Sequence, residues 1–139
     1  MEWYEKYIGI PYKEFGRDED GVDCYGLALL VYKNELHIDI PDYFGVGFHK
    51  AKSGKEAELL KKELQGFILN ASSSWREIEQ DKAQPFDLVL FNMLGYVIHI
   101  GILIDKDTML HSFDGKDCVC EKLEKKWRGR IYKVVRWVA

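Results

Sequence analysis

The 139-residue chain contains no apolar run of 18 residues, so no segment is fit to cross a membrane as a helix. It has little net charge: 20 basic against 23 acidic residues, with both signs interspersed, which removes any electrostatic case for binding nucleic acid. Proline is scarce, with Pro11, Pro41 and Pro85 standing singly. No repeat, low-complexity tract or Pro/Ser linker divides the sequence, and residues 1–139 read as one domain. Cysteine is scarce too, and its count of three is odd. The opening MEWYEKYIGIPY puts acids and aromatics where a secretory signal needs a basic patch and an apolar core. Synthesis in the cytoplasm is expected, and with it no disulfide framework, leaving at least one thiol for chemistry. At 47% apolar and 31% charged the chain is not disordered, and its length supports a core without a metal or disulfide staple.

The first half has helical spacing. Asp23 stands where an N-cap belongs, and Cys24, Leu27, Ala28 and Val31 follow at i, i+3, i+4 and i+7. That pattern predicts an amphipathic helix from Cys24 to about Leu36 with the cysteine in its first turn. A second helix is expected from Lys55 to Leu69, after an irregular loop over Pro41–Lys52. The second half has strand character: Phe86–Phe91, Val97–Ile104, Met109–Phe113, Val119–Leu123 and Ile131–Trp137 are short β-rich runs separated by turn residues. Helices first and strands afterwards give an α+β domain, with N-terminal helices packed on a mostly antiparallel sheet of about five strands.

Cys24 sits one residue past the expected cap. Unpaired N–H groups and the helix dipole favour anions there, so a thiol at that place tends toward thiolate. His99 is the one polar side chain in Val97–Ile104, and a bare imidazole in such a run needs a partner. Gly101 beside it leaves room for the start of the first helix to approach. If Asp105-Lys106-Asp107 forms a three-residue hairpin loop, Gly101 opposes His111, and the two histidines become diagonal neighbours on one face; a two-residue loop places them on opposite faces. A thiol, a base and a residue orienting the base make up an activated nucleophile for attack on an amide carbon.

These residues resemble the NlpC/P60 cysteine peptidases of the papain-like superfamily. Gly9-Ile10-Pro11-Tyr12 is similar to that family's Gly-x-Pro-Tyr, and Asp23-Cys24-Tyr25-Gly26-Leu27 to its Asp-Cys-Ser-Gly-Leu. Phe86–Phe91 is similar to the Gly-Asp-Leu-Val-Phe-Phe strand, and His99-Ile100-Gly101-Ile102 and Met109-Leu110-His111 to the strands bearing the base and the third polar residue. Residues 36–79 look like a subgroup insertion. Tyr25, Ile40-Pro41-Asp42-Tyr43 and Trp127–Ile131 resemble the phage tail-tip branch, that of tail assembly protein K. The resemblance implies catalysis by Cys24, His99 and His111, with no cofactor. It implies cleavage of peptidoglycan stem peptides at a γ-D-glutamate–diaminopimelate type of bond, with Tyr12, Asp23 and Tyr25 lining the substrate cleft. Delivery within a phage tail or other assembly, with those assembly proteins as partners, is the matching expectation. Tyr25 stands where the family has Ser, and Phe86 where it has Gly, a change expected to touch only a turn.

Two other functions remain open: a structural tail-tip module with little turnover, or an amidase or acyltransferase on the same Cys–His scaffold. Cys118 and Cys120 could be drawn with His99 and His111 as a zinc site, but Cys-x-Cys is not a common zinc spacing. Packing residues of an edge strand are the preferred account, and no metal is expected.

Overall fold

The computed structural model describes residues 1–42, 54–55, 58, 74–93, 96–113 and 115–139. Of the expected Lys55–Leu69 helix only Lys55 and Glu58 are described, both helical, and nearly all of the Pro41–Lys52 loop falls outside the described residues. A single 3-10 turn, Glu5–Tyr7, opens the chain. It is followed by a two-stranded hairpin, β1 (Arg17–Asp18) and β2 (Gly21–Val22), and by helix α1 (Cys24–Val31), which continues as a π-helical turn over Tyr32–Leu36. Then come β3 (Trp75–Ile78), β4 (Leu88–Met93), β5 (Tyr96–Asp105), β6 (Thr108–Phe113), β7 (Lys116–Lys122), the single-turn α2 (Lys125–Arg128) and β8 (Ile131–Trp137).

The main sheet has six strands in the order β3-β8-β4-β5-β6-β7, and every pairing is antiparallel. The α+β class holds, and the strand count rises from about five to six. The addition is β3, whose Arg76 and Glu77 are exposed; four residues with two charges gave no alternation strong enough to read. At the opposite edge, the main chain of Gly9 and Ile10 pairs with Cys118 on β7 and covers that strand.

Helix α1 starts where its cap dictates. Asp23 Oδ1 accepts the N–H of Gly26 at 2.7 Å, satisfying one of the donors left open in the first turn. The helix is buried on every side except at Leu29, because the hairpin covers its start and the sheet lies along its length. Gly26 permits that cover: a Cβ there would stand 2.0 Å from the carbonyl oxygen of Gly16.

The pleat divides the sheet into two faces. Leu88, Leu90, Ile100, Ile102 and Leu110 pack with Leu27, Ala28 and Val31 of α1, while Val89, Phe91, Leu103, Met109, Val134 and Trp127 of α2 form a second cluster on the far face. Phe86, expected to affect only a turn, carries φ +74, a conformation costing a bulky L-residue roughly 1–2 kcal/mol. Its ring stacks on Trp3 with centroids 4.5 Å apart, and its carbonyl accepts the Tyr32 hydroxyl, contacts that offset the strain.

Candidate active site

Cys24 is the first residue of α1 and is buried at 3% exposure. Burial pushes its thiol well above the ordinary cysteine range, and the Asp23 carboxylate adds to the rise. The main-chain groups of Ile100 and Tyr25, with Arg17, act against it without reversing it. These influences run against the expected drift toward thiolate: loss of hydration and a neighbouring carboxylate raise the thiol's pKa at this helix terminus.

His99 and His111 form the polar centre of the other face. The Nε2 of His99 lies 2.8 Å from Nδ1 of His111, and both residues are buried. The register that joins them is the one read from the sequence, Ile102 opposite Leu110, which carries on to Gly101 opposite His111. The turn differs. Asp105 pairs directly with Thr108, leaving two residues in the loop, and a bulge between Leu103 and Asp105 restores the alternation. Around the pair stand Phe91, Phe113 and Trp127, whose ring centroids lie 5.1–6.3 Å from the imidazoles they meet. Burial holds His99 far below the usual histidine range, with His111 adding to the fall. Burial lowers His111 too, and Glu121 pulls it back part of the way. Both shifts favour the neutral ring.

One residue bonded to this pair was not singled out from the sequence. Glu121 Oε1 lies 3.0 Å from His111 Nε2, and its Oε2 accepts the Trp127 indole N–H at 2.6 Å. Burial raises its carboxyl, but the bonds from Trp127 and His111 outweigh that and leave it below the usual range. Met109 opposes Glu121 and His111 opposes Val119, so the acid projects from the histidine face as a diagonal neighbour of His111. The signal was the alternation in Cys118-Val119-Cys120-Glu121, but only with the β6–β7 register in hand.

The structure bonds the two histidines to each other and the thiol to the main chain. Cys24 belongs to the α1 cluster and meets β5 at the main chain of Ile100, one residue from His99, whose ring turns to the far face with Phe91 and Trp127. Among the described residues no hydrogen bond links Sγ to either imidazole. The space beside Gly101 is filled by Met109 and Val89, not by the start of α1: a Cβ there would meet Met109 Sδ at 2.7 Å. Cys118 and Cys120 pack with the α1 cluster and so lie across the sheet from the histidines.

The residues expected to line a substrate cleft lie around the start of α1. Tyr12 is half-buried and bridges Val22 of β2. Asp23 is buried, and its partners are already in place: Oδ1 accepts Gly26 N–H and Arg17 Nη1 (2.8 Å), and Oδ2 accepts Phe15 N–H at 3.0 Å. Burial raises its pKa, with Arg17 the largest opposing influence. Tyr25 is fully buried, and its hydroxyl donates to the Pro41 carbonyl at 2.5 Å.

A family model described as the NlpC/P60 family matches residues 9–136. No curated protein sequence matches the chain. Among solved structures, it is similar to the NlpC/p60 domain of the peptidoglycan hydrolase SagA, with 20% identity, a TM-score of 0.60, and coverage of 94% of this chain and 90% of that one. A Staphylococcus aureus protein described as similar to lipoprotein, of the NLP/P60 family, aligns at 20% identity and a TM-score of 0.62 over 96% of this chain. An NlpC/P60 family protein from Bacillus cereus aligns at 20% identity and a TM-score of 0.63, also over 96%. At such identity the likeness is one of fold, and this chain spans only 38% and 37% of the latter two.

Proposed function

Because the chain belongs to the NlpC/P60 family, we propose that it is a cell-wall hydrolase, a cysteine peptidase that cuts peptidoglycan stem peptides with Cys24 as nucleophile, His99 as base and His111 holding the base. The observation that carries this reading is the buried hydrogen bond between His99 and His111, set on the strand whose main chain meets the Cys24 thiol. Two neutral imidazoles in an aromatic enclosure sacrifice hydration for position, which catalysis uses and packing alone does not need. In the reaction His99 takes the thiol proton, the thiolate attacks the amide carbon, and the proton passes to the leaving amine. Water then hydrolyses the thioester. This chemistry requires thiol and ring to meet when substrate is bound. A γ-D-glutamate–diaminopimelate bond as target and delivery by a phage tail are the finer parts of the proposal; they rest on the motif resemblance of Asp23–Leu27, Ile40–Tyr43 and Trp127–Ile131.

Mass spectrometry of defined muropeptides incubated with the protein tests the reading. Release of stem-peptide fragments is expected, with a loss of at least about 10³-fold in Cys24→Ala, the scale seen when a nucleophile is removed. Equal digestion by Cys24→Ala and wild type sinks it. An amine-capped product in place of the acid identifies an acyltransferase.

A second reading, a structural module with little turnover, is favoured by one observation: the thiol is buried, with its pKa pushed up by that burial, and is not hydrogen-bonded to an imidazole. Alkylation of Cys24 separates the two. A rate that falls when stem peptide is added, as substrate covers and acylates the thiol, supports the enzyme, and a rate unchanged by it and below that of a free thiol supports the module.

A further inference from the structure

We infer that Glu121 is a positioning residue that fixes the tautomers of both histidines and leaves Nδ1 of His99 as the unprotonated nitrogen of the pair. The inference follows from hydrogen-bond direction. An ionised carboxylate can only accept, so His111 Nε2, 3.0 Å from Glu121 Oε1, must carry its proton there. A neutral His111 then has a bare Nδ1. Across 2.8 Å that nitrogen can only accept, so His99 carries its proton on Nε2. Nδ1 of His99 keeps the lone pair. The order is set from the far end, because the Trp127 indole, buried at 5% exposure, has a fixed donor at 2.6 Å on Oε2 and turns Oε1 toward His111.

For catalysis the inference rests on the peptidase reading, in which the bare nitrogen of His99 accepts the thiol proton: the S–H bond breaks, an N–H bond forms on Nδ1, and Glu121 exchanges no proton. The tautomers themselves are independent of that reading.

Glu121→Gln is the decisive variant because it keeps the shape and halves the acceptors. Trp127 cannot turn its N–H away, so it takes the amide oxygen, and the amide nitrogen donates to His111. His111 must then move its proton to Nδ1, and His99 must move its own proton to Nδ1 in turn. Nitrogen-15 spectra of the imidazoles at neutral pH read this directly. Wild type is expected to show protonated Nε2 on both rings, Glu121→Gln protonated Nδ1 on both, and Glu121→Ala a mixture. On the peptidase reading kcat in Glu121→Gln falls by about 10²–10⁴-fold, as when a base is locked in its wrong tautomer, with KM little changed. Protonated Nε2 persisting on both rings in both variants overturns the inference, whatever the activity. Inverted tautomers in a protein whose wild type releases no peptide uphold the inference and remove the peptidase.

Discussion

The two faces of the sheet use their polar atoms differently. On the α1 face, polar groups tie chain to chain: Asp23 caps the helix and receives Arg17, Tyr25 reaches Pro41, and Ser112 Oγ donates to the Val22 carbonyl at 3.1 Å. On the far face the side chains form a line, from His99 through His111 and Glu121 to Trp127, each bonded to the next. The first arrangement fixes where the Cys24 thiol sits, and the second ties two imidazoles to a carboxylate and an indole. The two meet only at β5, where the thiol faces the main chain of Ile100 and the His99 ring lies on the other side.

Paired truncations break this comparison most severely. Leu27→Ala on the α1 face and Trp127→Ala on the far face each remove a buried side chain, and each is expected to cost roughly 3–5 kcal/mol in urea unfolding. Their spectra should differ. Trp127→Ala removes the ring touching both histidines and the donor to Glu121, so it shifts both imidazole signals. Leu27→Ala leaves those signals in place. If both variants shift them alike, the faces are one cooperative unit and the division is wrong.

Acid titration sharpens the same division. Both histidines are depressed in the folded protein, so below the ordinary histidine pKa of about 6.5 the unfolded chain binds protons that the folded one refuses. Stability is therefore fully present above that pKa and is lost as pH falls from about 6.5 toward 5, by at most about 1.4 kcal/mol per pH unit for each ring. The window lies above the ordinary carboxylate range, and Asp23, raised by burial, acts there with the opposite sign, so a loss on acidification belongs to the histidine face. Urea midpoints from pH 7 to pH 5 measure it, and His99→Phe should flatten the slope. A slope unchanged in that variant would show that His99 does not contribute.

The sequence made the α1 face legible because its signals are local. A cap at Asp23 followed by period 3.6 needs no knowledge of any partner, and the helix begins at Cys24 as read. The strands from β4 onward were legible for the same reason; the two-residue β1 and β2 were not, nor was β3, whose four residues become a strand only through β8 beside them. The pairing of His99 with His111 was readable because one hairpin connects them. The face that α1 covers was not, since period 2 places His99 with Gly101 but does not say which face a helix will claim. Here Ile100 and Ile102 offered the more apolar surface, and the packing of Leu27, Ala28 and Val31 settled it. Glu121 lay in a stretch mixing acids and bases, where composition reads as solvated surface and only register reveals a partner.

Tyr25 carries the smallest expected effect and the sharpest test of the α1 face. Tyr25, the residue following Cys24, was expected to line the cleft, yet its ring is fully buried and its hydroxyl is 2.5 Å from the Pro41 carbonyl. Pro41 is itself exposed, so Tyr25→Phe leaves that carbonyl to water and creates no buried acceptor without a donor. The cost should then be that of one neutral hydrogen bond, about 1 kcal/mol, visible as a lower urea midpoint with an unchanged m-value. A hydroxyl serving substrate alone contributes nothing to the stability of the free protein, so a midpoint equal to wild type would move Tyr25 from the scaffold to the cleft. A loss near 1 kcal/mol instead ties the start of α1 to the chain that follows it. In that case the hydroxyl helps hold the position of Cys24, and the α1 face owes its order to polar bonds as well as to its apolar contacts.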